Sequence, residues 1–405
     1  MDRPPRPSPT NPGLRADRDR LSVALDVADD RVVGVGLESS RRADVARVLI
    51  GQPVGAAVRL VGLLFSLCGV AQTVAAVQAA EAATGARASS ATNGARHAVV
   101  LCEAVEQSVL RLGMDWPAVA GTAPDIEAVR DLRHGVAAAR RAASVASWDR
   151  IGGAAAGARW PPPALGAAVA PMTADIRALV FGDAPVPETE AALADLAASG
   201  RGSVSGALAL ALDDGAGGVA DAAVAPLRDW DLGTFAARLS GSNGLAFAAR
   251  PDWRGAPAET GALARLDGHP LVAGLRARGA GLAARLAARL LDLDRMLAAL
   301  ADLAHGAAAP PPAALSDGPG RGLSAVDTAR GLLVHRVTLD GGRVADWRIV
   351  APTEWTFHPD GALARVPLGW PAGDRTALLR RVRLLVAAMD PCVAHDVAIR
   401  EAAHA

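Results

Sequence analysis

Two long segments of the sequence repeat apolar residues at steps of three and four positions. They cover residues 41–150 and 272–304, and both are rich in Ala, Leu and Val. This spacing places apolar side chains on one face of a helix, so it predicts a mostly helical core. At 405 residues, the chain is long enough to bury such a core in one large domain or two smaller ones.

Strand patterns occur in shorter segments near the two ends of the chain. "LSVALDV" (21–27) and "RVVGVGLE" (31–38) alternate apolar and polar residues on either side of a three-residue turn. "GLLVHRVTLDGGRVADWRIVAP" (331–352) predicts a second hairpin, with its turn at Asp-Gly-Gly. We therefore predict an α+β fold that is mostly helical and carries small peripheral β-hairpins.

The remaining segments suggest a simple domain organisation. The Pro- and Arg-rich residues 1–20 are predicted to be a disordered tail, and residues 21–405 a single domain. Within that domain, Gly, Ala and Pro predict a loop at 152–171 and a Pro-rich surface loop at 306–322. A final helix is predicted at 375–389.

Composition excludes several classes of function. Basic and acidic side chains balance at 42 each, which argues against nucleic acid or an anionic membrane as the main partner. The chain has no Lys, so Schiff-base or phosphate-loop lysine chemistry is excluded. Residues 1–20 contain no apolar signal core, so we expect a cytoplasmic protein. The apolar stretch 61–80 is long enough to span a bilayer, but its polar residues favour a buried core helix.

Three cysteines are too few for a disulfide framework, but one of them stands in an unusual segment. Cys392 follows Asp-Pro at the predicted end of the last helix and precedes His395 by three residues. Because packing does not require Asp-Pro-Cys at a helix end, this segment predicts a metal site. Cys68 alone is typical of a buried apolar cysteine, Cys102 is predicted to lie in the core, and His335 is predicted to be structural.

Five separated motifs together resemble one family. They are "LCGVAQTVAAV" (67–77), "ETGALAR" (259–265), "TARGLLVHRV" (328–337), "VAPTEWTFHP" (350–359) and "DPCVAHDVA" (390–398). In this order, they resemble the large subunit of nickel–iron hydrogenases, and more closely its cofactor-assembly relatives of the HupK/HoxV type. The resemblance implies a large-subunit-like helical fold from about residue 21 to the C-terminus, with a weaker match over about 150–250.

The resemblance also implies an incomplete metal centre. In the hydrogenase, two Cys-x-x-Cys pairs supply four thiolates to nickel, and the second cysteine of each pair bridges to iron. Cys68 and Cys392 match the first positions, whereas Ala71 and His395 stand at the bridging positions. Ala75 stands where the family has a histidine. Because soft nickel sites depend on several thiolates, we expect no complete nickel–iron centre and no enzyme that turns over hydrogen.

A second part of the hydrogenase site is matched. In the family, an Arg and a hydroxyl donate hydrogen bonds to the cyanide ligands of the iron. The resemblance places Arg330 of "TARG" and Thr353, beside Pro352, of "APTEW" at these positions. A guanidinium and a hydroxyl suit the role, because both donate to a compact anionic acceptor. The resemblance therefore implies a cyanide-ligand pocket.

The implied function is that of a hydrogenase maturation factor, a scaffold or carrier for the Fe(CN)2CO unit. Cys68, Cys392 and His395 would hold the iron transiently, although His395 could instead act as a base or as a capping residue. The implied partners are the large-subunit precursor, a small hydrogenase chaperone and iron-assembly proteins. The alternative is a chaperone or docking protein without metal that mimics the large subunit, and under this alternative both cysteines are dispensable.

Overall fold

A computed structural model defines the fold over most of the chain. The structure describes residues 20–40, 44–65, 67–153, 160–212 and 224–402. The predicted disordered tail lies outside these ranges, apart from Arg20, which begins the first strand.

Helices form the largest part of the structure, as the apolar spacing predicts. A 3-10 turn at Val45–Leu49 precedes them, and a π-helical turn at Arg111–Asp115 joins the third helix to the fourth. The helices are α1 (Val54–Leu64), α2 (Gly69–Thr84), α3 (Ser90–Leu110), α4 (Trp116–Ala120), α5 (Ile126–Ala143), α6 (Pro163–Phe181), α7 (Glu190–Ser199), α8 (Ser205–Leu212), α9 (Leu232–Leu239), α10 (Gly244–Ala249), α11 (Ala262–Leu266), α12 (Pro270–Ala277), α13 (Gly281–Ala304), α14 (Pro352–Thr356), α15 (Ala362–Arg365) and α16 (Arg375–Met389).

The strands form a three-stranded sheet in the order β2-β1-β9, a four-stranded sheet in the order β5-β6-β7-β8, and a short parallel pair, β3-β4. Their bounds are β1 (Arg20–Ala28), β2 (Arg31–Ser39), β3 (Ala225–Pro226), β4 (Ala258–Glu259), β5 (Ala313–Ser316), β6 (Arg321–Thr328), β7 (Gly331–Asp340), β8 (Arg343–Val350) and β9 (Ala394–Glu401). Both predicted hairpins are confirmed, since β1 pairs with β2 and β7 with β8, each antiparallel. Strand β9 runs parallel to β1 and extends the first hairpin beyond its prediction.

The prediction of the final helix is confirmed by α16, but three other segments differ from their predictions. The predicted loop 152–171 contains the start of α6, because Pro is well suited to the first turn of a helix. The segment 272–304 is divided between α12 and α13 by Gly279, whose φ of 79° interrupts helical geometry. The Pro-rich segment 306–322 contains β5, an edge strand of the four-stranded sheet.

The core is organised around α2, which packs against β6 and β7 of the four-stranded sheet and against α1. The apolar stretch 61–80 is therefore two helices that meet near residue 67, and α2 is buried over most of its length, as predicted for a core helix. Among the described residues, α6 is the one helix long and apolar enough to cross a bilayer, and core helices of other proteins share such a length and composition.

Candidate functional site

Cys68 lies at the junction of α1 and α2, where it is the residue before the first turn of α2. The two helices meet closely at two glycines. A Cβ on Gly69 would lie only 2.8 Å from the backbone oxygen of Gly62. Glycine is therefore required for this crossing, and the crossing holds the half-buried Cys68 at a fixed place.

The carboxylate of Glu103, in α3, caps the first turn of α2 next to Cys68. It accepts hydrogen bonds from the backbone N–H of Val70 at 2.8 Å and of Ala71 at 2.9 Å. Burial raises the pKa of Glu103, against the opposing effect of these two bonds. The sequence gives no signal for this role, because a single Glu in an amphipathic helix is most often a surface residue.

Cys68 lies near two residues that are far from it in the sequence. Burial, and after it the charges of Cys392 and Glu103, raise the pKa of the Cys68 thiol to about 11. The charge of Arg330 and a hydrogen bond from Gln72 act in the opposite direction. The fold therefore brings Cys392 and Arg330 within electrostatic range of Cys68.

Cys392 follows a sharp turn at the end of α16. Asp390 ends the helix with a left-handed φ of 56°, and Pro391 prevents the helix from continuing. The Asp390 side chain is fully buried. Since a buried carboxylate requires partners, the identity of this residue constrains its surroundings.

Three guanidinium groups supply those partners. Arg111 donates to the Asp390 carboxylate, and Arg289 and Arg330 lie 3.4 and 3.3 Å from it. Arg111 also donates to the backbone oxygen of Pro391 at 2.8 Å, and Arg330 to that of Asp390 at 3.1 Å. Burial acts to raise the pKa of Asp390, but the three arginines hold it below its usual range. This network fixes the backbone immediately before Cys392.

Arg330 occupies the tight turn between β6 and β7 and is only 6% exposed. The hydroxyl of Thr328 accepts hydrogen bonds from the backbone N–H of Arg330 at 3.1 Å and of Gly331 at 3.2 Å. The guanidinium also donates to Gln107 at 3.0 Å. At Gly331, where φ is 129°, a Cβ would lie 2.4 Å from Thr260. The "TARG" and "ETGALAR" motifs therefore pack directly against each other.

Pro352 and Thr353 form the start of α14, and both are buried. Helix α14 packs against β7, the strand that begins just after Arg330. Thr356, from the same helix, and Arg330 line one small cavity of about 20 Å³. These contacts place α14 beside the turn that carries Arg330. The role of Thr353 as a donor to cyanide stays a prediction.

His395 lies in β9, paired with Leu21 of β1, and its side chain is half-buried. Burial, and then the charge of Arg111, lower its pKa. Within the described ranges, no three His, Cys, Asp or Glu side chains lie close enough together to hold a metal ion. The predicted ligands Cys68, Cys392 and His395 therefore do not form a preassembled three-ligand group. The position of His395 is set by the pairing of β9 with β1.

No protein-family model matches the chain, but curated relatives and solved structures do. The chain is 33% identical over 396 residues to the hydrogenase expression/formation protein HupK of Rhizobium leguminosarum bv. viciae, covering 95% of this chain and 98% of that protein. HupK of Azotobacter vinelandii is 33% identical over 401 residues, covering 94% and 98%.

Among solved structures, the [NiFeSe] hydrogenase of Desulfovibrio vulgaris Hildenborough matches with a TM-score of 0.60 at 17% identity, covering 90% of this chain and 94% of that chain. The [NiFeSe] hydrogenase of Dm. baculatum matches with a TM-score of 0.59 at 16% identity, covering 91% and 95%. The chain therefore has the fold of a nickel–iron hydrogenase large subunit, as predicted.

The fold defines a protein built like a hydrogenase large subunit. The near full-length identity to curated relatives shows the particular group. The chain belongs to the HupK/HoxV family of hydrogenase expression/formation proteins.

Proposed function

We propose that the chain binds an Fe(CN)2CO unit through Cys68 and Cys392 and passes it to the precursor of the hydrogenase large subunit. The observation that supports this most directly is that the buried Arg330 donates to the backbone oxygen of Asp390, two residues before Cys392, while Arg330 and Cys392 both act electrostatically on Cys68. The names of the relatives support a role in hydrogenase expression and formation.

The charges around the cysteines suit an anionic cargo. Ferrous iron with two cyanides, one neutral carbonyl and two thiolates carries two net negative charges. Arg111, Arg289 and Arg330 lie around the Asp390 carboxylate, two residues before Cys392. The charge of Arg330 also acts on Cys68 and lowers its thiol pKa against the effects of burial and of Glu103. Guanidinium groups in such a position can donate charge-assisted hydrogen bonds to a compact anion.

The protonation of Cys68 fits transient binding. With a pKa of about 11, the Cys68 thiol keeps its proton at neutral pH until a metal arrives. Iron binding as a thiolate then releases that proton, so part of the binding energy is spent on deprotonation. Cys68 therefore binds the iron less tightly, and release to the next protein is easier.

The positions that match the bridging cysteines support a carrier rather than an enzyme. Ala71 has no ligating atom in its side chain, and its backbone N–H is bound to Glu103. His395 lies in β9 and belongs to no three-ligand group among the described residues. Two thiolates would hold an iron atom without nickel, whereas soft nickel sites require more thiolates. We therefore propose that no nickel–iron centre assembles and no hydrogen is turned over.

The surface beside Cys68 suits contact with partner proteins. Leu60 and Leu63 of α1, and Leu67 immediately before Cys68, are 36%, 80% and 40% exposed. We propose that cytoplasmic maturation partners, namely an iron-assembly protein, a small hydrogenase chaperone and the large-subunit precursor, dock here. The same surface also favours the second candidate, a docking protein that mimics the large subunit and binds no metal.

One experiment separates the two candidates. The chain is co-expressed with the hydrogenase maturation proteins, purified without oxygen, and its infrared spectrum is recorded. The proposal expects cyanide and carbonyl stretches in the wild type and in the control Cys102→Ala, and neither in the double variant Cys68→Ala/Cys392→Ala. Bands that persist in the double variant would overturn iron binding through the two cysteines. No bands in the wild type, or full hydrogenase activity in cells that carry the double variant, would favour docking alone.

A further inference from the structure

A continuous chain of buried hydrogen bonds leads from the four-stranded sheet to Cys68. The indole N–H of Trp347 lies 3.2 Å from Nδ1 of His335, and Nε2 of His335 lies 2.8 Å from Oε1 of Gln72. The amide Nε2 of Gln72 then lies 3.7 Å from Sγ of Cys68. Trp347, His335 and Gln72 are 4%, 0% and 1% exposed, so water does not compete for the two bonds among them.

The donor and the acceptor of every hydrogen bond in this series follow from the indole of Trp347. An indole N–H can only donate, so Nδ1 of His335 must accept. Burial lowers the pKa of His335 to about 3, so the ring is neutral and its one proton lies on Nε2. Nε2 therefore donates to Oε1 of Gln72, and the amide of Gln72 can only turn its N–H groups towards Cys68.

We propose that Gln72 is a positioning residue for the cargo, held by His335 and Trp347 in the one orientation that donates a hydrogen bond to the Cys68 sulfur. This inference rests on the proposed function for its purpose, because the sulfur in question is the one that would bind iron. A hydrogen bond to a thiolate draws electron density from the sulfur and weakens its donation to the metal. Gln72 would thus adjust how tightly Cys68 holds the iron unit.

The role of Trp347 makes the inference testable without removing any group that contacts the sulfur. In Trp347→Phe, Nδ1 of His335 loses its donor, so the histidine can move its proton from Nε2 to Nδ1. The Gln72 amide can then reverse and present Oε1, which repels a thiolate. Phenylalanine keeps one aromatic ring at this position, so less packing is lost than in a truncation to alanine.

The first test uses the cargo-free chain, so it does not depend on the proposed function. The alkylation rate of Cys68 by iodoacetamide is measured at one pH by peptide mass spectrometry, with Cys392 in the same sample as reference. We expect a decrease of about fivefold in Gln72→Leu and in Trp347→Phe, the loss of one hydrogen bond to the thiolate. Gln78→Leu, a buried control on the same helix, should react like the wild type.

The second test uses the loaded chain. Without the Gln72 hydrogen bond, the sulfur donates more electron density to iron, so the carbonyl stretch should move to lower wavenumber in Gln72→Leu and in Trp347→Phe. An unchanged Cys68 alkylation rate in both variants, with folding confirmed by circular dichroism, overturns the role of Gln72. A decrease in that rate with no cyanide or carbonyl bands in the wild type instead supports the role of Gln72 and overturns the carrier function.

Discussion

Acidification is expected to destabilise the folded chain through His335. This histidine is fully buried, and burial lowers its pKa to about 3 in the folded chain, whereas the value in an unfolded chain is about 6.5. Between these two values, the unfolded chain binds a proton that the folded chain does not. The free energy of unfolding therefore falls as the pH decreases below about 6.5. The stability that comes from keeping His335 neutral is fully present only above that pH.

The size of the effect follows from the two pKa values. Between about pH 7 and about pH 5, proton binding to His335 in the unfolded chain lowers the free energy of unfolding by about 2 kcal/mol. Urea unfolding at both pH values measures the drop in the wild type and in His335→Gln, which has no titrating ring. The variant should lose about 2 kcal/mol less than the wild type between the two conditions. An equal drop in both proteins would refute the assignment of a neutral, buried His335.

Three further changes test the network around the cysteines. Asp390→Asn leaves the half-buried Arg111 and the buried Arg289 and Arg330 without a shared anion. It should lower the free energy of unfolding by about 3–5 kcal/mol, against less than about 1 kcal/mol for the more exposed Asp115→Asn; equal losses in urea unfolding would contradict this. Arg330→Met removes one charge beside the cysteines and should reduce the iron retained per chain about tenfold, measured by metal analysis, and unchanged iron would speak against a role for this residue. Cys102→Ala should keep wild-type iron content and lose about 1 kcal/mol of stability, because Cys102 is a fully buried core residue.

The sequence predicted the parts of the fold that are set by local patterns. The β1–β2 and β7–β8 hairpins and helix α16 follow from alternation, turn residues and helical spacing. The pairing of β9 with β1 joins residues near the two ends of the chain, so no local pattern reports it. For the same reason, the sequence could not indicate that His395 lies in a strand and takes part in no three-ligand group of the described residues.

The residues of the candidate site also fall into those that local sequence motifs predict and those whose roles depend on long-range contacts. Cys392 and Arg330 stand in recognisable motifs, and the structure places both near Cys68. Glu103, Gln72 and the arginine partners of Asp390 act across large sequence separations, so their roles depend on tertiary contacts. His335 was predicted to be structural from its place in a strand. The structure gives it partners on both ring nitrogens, and one of them contacts Cys68.

The central claim, that Cys68 and Cys392 hold one iron atom between them, is tested most directly by X-ray absorption at the iron edge. The chain is purified anaerobically after co-expression with the maturation proteins. The account predicts about two sulfur neighbours per iron in the wild type, and about one in either Cys68→Ala or Cys392→Ala if iron is retained. An iron atom with no sulfur neighbour in the wild type, or with the same sulfur count in all three proteins, would contradict it.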